Sequence, residues 1–170
     1  MGPLARSRAL PADVENLQRR VRVSAPRLRR TAARALRAVG RARRRVHVTV
    51  VDDRAIRRLH ARHLGEDTAT DVLAFELGGP DPARLLGEVI VSAQTAARQA
   101  RRLRVPVALE LDLLVVHGIL HLAGHDDHEP AAARRMHERA RAILGGGPGG
   151  PGRVPARFWA GLLPARVAAG

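Results

Sequence analysis

Two histidines four residues apart, His117 and His121, stand in an otherwise apolar run and are followed by Gly124, His125, Asp126, Asp127 and His128. On a helix such a pair shares one face, with Cβ atoms about 5–6 Å apart. Both imidazoles can then reach one ion at the roughly 2.0–2.1 Å of a Zn–N bond. Gly124 can take a left-handed conformation, end the helix and turn the chain back. That turn brings Asp127 or His128 up as a third ligand, and three protein ligands with an open fourth position describe a catalytic rather than a structural zinc. A lone HxxxH is more often a pair of core histidines held in hydrogen bonds. Here an apolar helix, a helix-ending glycine and further ligand types act together, whereas His47 and His137 lack that context and read as surface residues.

The residue after His117 is Gly118, where HExxH peptidases carry the glutamate that serves as general base. Hydrolysis would rest on zinc lowering the pKa of a bound water toward about 7. No catalytic group beyond that water is assigned from the residues, and the chemistry reads as hydrolytic but not proteolytic.

The elements that must hold these residues follow from periodicity. Val21–Ser24 alternates like an edge strand, and Pro26 opens a helix with Leu28, Ala32, Ala35, Leu36 and Val39 on one face, ended by Gly40. Residues 46–51 are β-branched and read as a strand, and Asp52 or Asp53 caps the helix that follows. Residues 70–75 and 86–92 are further strands around a Gly/Pro loop, and Ser92 caps a helix running to about Leu103. Residues 109–122 form a near-continuously apolar helix at the centre, and Pro130 opens a last helix to Leu144. The expected fold is a single α+β domain: a small mixed sheet of about four strands packed with about five helices, its metal site on the central helix and the following loop. Residues 1–14 read as a flexible leader, 15–144 as the folded domain, and 145–170 as a Gly/Pro/Arg-rich tail expected to be disordered.

A chain of 170 residues with 45% hydrophobic content suits one folded domain. Aromatics are 2%, which disfavours RNA-binding modes that stack bases on rings. With no cysteine there is no disulfide-linked partner and no thiolate metal site. The longest apolar run is far short of a membrane span and Met1–Leu10 lacks a signal-peptide core, so a cytoplasmic protein without a membrane partner is expected.

The formal net charge is +14, and all 30 basic residues are arginine. Residues 1–45 carry +12, residues 46–128 carry −3 and residues 129–170 carry +5. A codon bias toward arginine would not by itself concentrate the charge this way. Arginine forks match phosphate geometry and supply sequence-independent affinity for nucleic acid. The helix with Arg29, Arg30, Arg34 and Arg37, and the cluster at 43–45, are therefore candidates to hold RNA.

The segment His117-Gly-Ile-Leu-His-Leu-Ala-Gly-His-Asp-Asp-His128 closely resembles the HGxLHLxGYDH signature of the YbeY family, bacterial endoribonucleases that act as rRNA maturation factors. Val50-Val-Asp-Asp53 with Ile56 and Leu59, and Thr70-Asp-Val-Leu-Ala-Phe75 with Leu86–Ser92, agree in order and spacing, so the resemblance covers about residues 15–144. It implies a zinc-dependent, single-strand-specific endoribonuclease that acts in 16S rRNA 3′-end processing and ribosome quality control, with the ribosomal small subunit as partner. His117 and His121 match its metal ligands directly. An ungapped match puts Asp127 at the third ligand position, with His128 one place later as the alternative and His125 at the usual tyrosine. The family often places an RNA-contacting arginine shortly before the TDVL-type strand; this chain has Leu64 there, with Arg62 nearby as a substitute. The alternatives to an endoribonuclease are a non-catalytic ribosome-associated RNA-binding protein with a structural metal and, less favoured, a metallopeptidase. Oligomeric state is not legible.

Overall fold

Helix α1 (Ala25–Ala38) begins where Ser24 supplies a cap: its Oγ accepts from the Arg27 N–H, and Pro26 fits the first turn. Leu28, Thr31, Ala32, Ala35 and Leu36 form its buried stripe. In this computed structural model the chain is described at residues 10–77, 85–145, 154, 158 and 167–169. Most of the expected leader, the Gly/Pro loop at 78–82 and the linker at 146–152 lie outside those residues.

The remaining elements are β1 (Ala12–Asn16), β2 (Arg45–Val51), α2 (Asp53–Leu64), β3 (Val72–Glu76), β4 (Leu85–Ser92), α3 (Ala93–Leu103), α4 (Val107–Leu122), α5 (Pro130–Gly145) and β5 (Val167–Ala169). The sheet runs β1-β2-β4-β3-β5. β1, β2 and β4 are parallel, β3 is antiparallel to β4, and β5 is parallel to β3. Four strands come from residues 12–92, three of them where expected, and the three-residue β5 is added from the tail. A chain of mixed helices and strands in one sheet is an α+β domain.

Strand alternation divides the core in two. Val48, Val50, Val72, Ala74, Val89 and Val91 face the main cluster with α1, α3, α4 and α5, while Val51, Leu73 and Ile90 face Ile56 of α2. Helix α4 is buried nearly all round, which explains why its sequence lacks an amphipathic rhythm. Two glycines let it lie close to the sheet. A Cβ at Gly118 would stand 2.4 Å from Val89 Cγ1, and one at Gly87 would stand 2.4 Å from the Phe75 carbonyl oxygen and 2.6 Å from Leu122 Cδ2.

Three expectations are corrected. Val21–Ser24 is not a strand; Val21 and Val23 pack on the main core after a turn in which Gln18 Oε1 accepts from the Arg20 and Val21 N–H groups. The edge strand is instead Ala12–Asn16, so residues 12–14 belong to the sheet rather than to a leader. Within the tail, Phe158 is fully buried in the main core and the backbone of Val167–Ala169 pairs in parallel with β3, because a large apolar ring gains more by burial than a Gly/Pro-rich segment does by staying solvated. Among the described residues no single helix is long and apolar enough to cross a membrane.

Candidate metal centre

His117 and His121 fall on one face of α4, one turn apart, in its last two turns. Gly118 and Leu122, each the next residue along, turn toward β4, so the histidine pair is set to the side of that contact. The helix ends as its sequence requires: Gly124 has φ +90, and the Gly124 and His125 N–H groups donate to the His121 and Leu120 carbonyls at 2.9 and 3.0 Å. This reversal returns the chain toward the histidines.

The reversal places the two candidates for a third donor side by side, His128 Nδ1 3.7 Å from Asp127 Oδ1, but with different burial. Asp127 Oδ2 lies 3.8 Å from His121 Nε2, and the Asp127 side chain is 10% exposed. His128 is 67% exposed, and its Nδ1 and backbone N–H both point to Asp126 Oδ1, at 2.9 and 3.0 Å. Two donors sharing a tetrahedral ion at 2.0–2.1 Å sit about 3.3 Å apart, so the His121–Asp127 spacing is close to a shared-ion geometry. The donor atoms of Asp126, Asp127 and His128 also lie within 4.8 Å of one another. That loop trio is more open, since Asp126 is 59% exposed.

His121 Nε2 is buried and makes no hydrogen bond. Burial pushes its imidazole below the usual histidine range, and Asp127 opposes the shift. A buried nitrogen kept neutral, with a carboxylate beside it, has the donor chemistry a divalent cation needs. His125 is half-buried, with its N–H committed to the helix end. His47 and His137 are half-buried rather than fully exposed, and His47 stands between Asp13 and Glu15 at 3.7 and 3.8 Å.

A family model described as endoribonuclease YbeY matches residues 13–146. The chain belongs to the YbeY family. A protein named endoribonuclease YbeY from Anaeromyxobacter sp. (strain Fw109-5) is 46% identical over 144 residues, covering 79% of this chain and 75% of that relative. One of the same name from Geobacter metallireducens is 41% identical over 139 residues, covering 77% of this chain and 91% of the relative. A solution structure of a Thermotoga maritima protein shares the fold, with a TM-score of 0.54, 24% identity and coverage of 79% of this chain and 89% of its own.

Measured against this YbeY membership, the arginines divide. Arg30 and Arg37 are exposed on α1 and Arg29 is half-buried, while Arg34 donates to the Ile143 carbonyl at 3.4 Å. Leu64, where the resemblance leads one to expect an arginine, packs against the α2 core cluster. Arg62 is exposed, and two residues on a helix are about 200° apart, so it does not face the way Leu64 faces. Gly118 gains a physical reason: Val89 occupies the space a larger side chain would need, so α4 cannot carry the peptidase glutamate there. The residue missed from sequence is Asp126, which holds the His128 Nδ1 at 2.9 Å, while that nitrogen also lies 3.7 Å from Asp127 Oδ1; two adjacent aspartates gave no sign of which would turn inward.

Proposed function

We propose that this protein is a zinc-dependent endoribonuclease that cleaves single-stranded rRNA, acting in 16S rRNA 3′-end maturation and ribosome quality control with the ribosomal small subunit as its partner. His117, His121 and Asp127 would hold the ion, and the observation that carries this reading is the approach of Asp127 to the buried His121 nitrogen. When bound, zinc supplies Lewis acidity toward a phosphoryl oxygen and makes water reactive near neutral pH. The chain's own part is to fix the donors. Helix α4 holds two imidazoles rigidly, the Gly124 turn returns Asp127, and burial keeps His121 neutral. Arg30 and Arg37, exposed on α1, together with Arg29, Arg34 and Arg62, supply positive charge for RNA.

Leu64 favours a second reading, a non-catalytic RNA-binding protein with a structural metal, since the family arginine is replaced by an apolar contact. Incubating zinc-loaded protein with a single-stranded rRNA fragment and with a peptide separates the readings. Cleavage of the RNA alone, abolished by His121→Ala, supports the endoribonuclease; binding without cleavage supports the alternative.

A further inference from the structure

Gly87 lies against Leu122, the residue after His121, and Val46 pairs with Gly87 across the sheet. The metal centre is therefore at the end of the sheet where β2 and β4 begin. A cavity of about 570 Å³ opens at that same end, lined by Arg37, Arg43, Arg44 and Arg45, with Leu10 and Pro11 along one wall. Its volume is within the range of small-ligand sites. Val46 of β2 and Gly87 of β4 are neighbours across one strand spacing, about 5 Å.

Among the described residues no carboxylate lines this cavity. Elsewhere the chain matches arginines with acids, as with Arg57 and Asp67, Arg98 and Asp53, or Arg27 and Asp112. Among the described residues Arg37, Arg43, Arg44 and Arg45 form no such pair. Arg44 is fixed by donating to the Leu85 carbonyl at 3.3 Å, and its buried Nε makes no hydrogen bond. Like charges gathered on one cavity repel unless an anion joins them, and guanidinium forks fit phosphate oxygens. We infer that this pocket is a phosphate-binding subsite that holds single-stranded RNA a few nucleotides from the His121–Asp127 centre. The inference rests on the endoribonuclease reading for its ligand class, and the apolar wall of Leu10 and Pro11 suits the sugar and base beside a bound phosphate.

The test uses the full chain carrying His121→Ala, so that labelled single-stranded RNA stays intact, and reads binding by fluorescence anisotropy across a salt series. Arg43→Glu/Arg45→Glu reverses two exposed pocket charges; Arg101→Glu/Arg102→Glu reverses two exposed charges in the last turn of α3, away from every arginine assigned to RNA. The pocket pair should weaken binding at least about tenfold and lower the slope of log K against log salt by about 1.4, two phosphate contacts on a single strand. The α3 pair should change affinity less than about threefold. With the native His121 restored, the pocket pair should raise KM and leave kcat near its native value. Equal losses from both pairs, or no loss from the pocket pair, overturn the subsite. So does loss of binding to phosphatidylglycerol vesicles with RNA binding retained. Native protein that binds RNA through the pocket but does not cleave it leaves the subsite standing and removes the endoribonuclease reading.

Discussion

Arg27 and Asp112 join the first helix to the central one: Arg27 Nε and a terminal nitrogen both reach Asp112 Oδ2 at 2.7 Å, while Thr31 Oγ1 donates to Asp112 Oδ1 at 2.7 Å. The Asp112 side chain is 1% exposed and that of Arg27 is 31% exposed. An arginine that looks like part of a cationic surface is thus a packing element of the helix bearing the histidines.

Removing one partner of a buried pair leaves a charge uncompensated, at a cost of about 3–5 kcal/mol. Because Arg27 is partly open to water, Arg27→Ala should fall at the lower end, about 3 kcal/mol, in urea melts at pH 7. Burial raises the Asp112 pKa, with the Thr31 and Arg27 hydrogen bonds opposing. A raised acid favours its protonated form in the fold, so the loss in Arg27→Ala should grow as pH rises above the ordinary aspartate range and shrink at acid pH. An equal loss at pH 4 and pH 7 would count against an ionised Asp112.

Asp53 works with the opposite sign. Burial would raise its pKa, but hydrogen bonds from Arg98, Ser92 and Thr95 outweigh this and hold it below the usual aspartate value. Its backbone N–H also donates to Gln94 Oε1 at 3.0 Å, so one residue ties the starts of α2 and α3 together. A depressed acid contributes stability that is present above its unfolded value of 3.8 and is lost as pH falls through the folded value. Asp53→Asn should flatten the acid limb of the stability–pH curve below about pH 4. A limb as steep as the native one would show that the network adds nothing.

Gly118→Ala tests how closely α4 lies on the sheet. Alanine gains about 1 kcal/mol in helix propensity over glycine. The new Cβ would meet Val89 Cγ1 at 2.4 Å, and overpacking costs about 1–3 kcal/mol, so the variant should be destabilised on balance. Adding Val89→Ala should recover part of the overlap loss in a double-mutant cycle. Strict additivity of the two changes would mean the contact is not made.

Much of this was legible because local chemistry and tertiary role agree. Ser92 and Asp52 cap α3 and α2 by accepting from the Thr95 and Ala55 N–H groups, and Gly124 is left-handed where a helix-ending turn was needed. β1 was not legible because Ala-Asp-Val-Glu-Asn has only Ala12 and Val14 to mark a face and is otherwise poor in strand formers. Val21 and Val23 alternate as well as any strand but pack on the core from a loop. The fate of each arginine depends on which acid or cavity lies opposite, as Arg27 and Arg44 show, and only the fold decides that. Likewise Asp127 and His128 are adjacent in sequence, and only the fold shows Asp127 beside His121 and His128 beside Asp126.

The central claim is that Asp127, brought back to His121, completes a zinc site. Calorimetric titration of zinc into the native protein, Asp127→Ala and His128→Ala tests it most directly. Loss of a partner that only orients a ligand typically costs 10–100-fold in metal affinity. Asp127→Ala should lose more than about 100-fold, as a direct ligand, and His128→Ala less than about tenfold. Native zinc affinity in Asp127→Ala, or the larger loss in His128→Ala, would contradict the account.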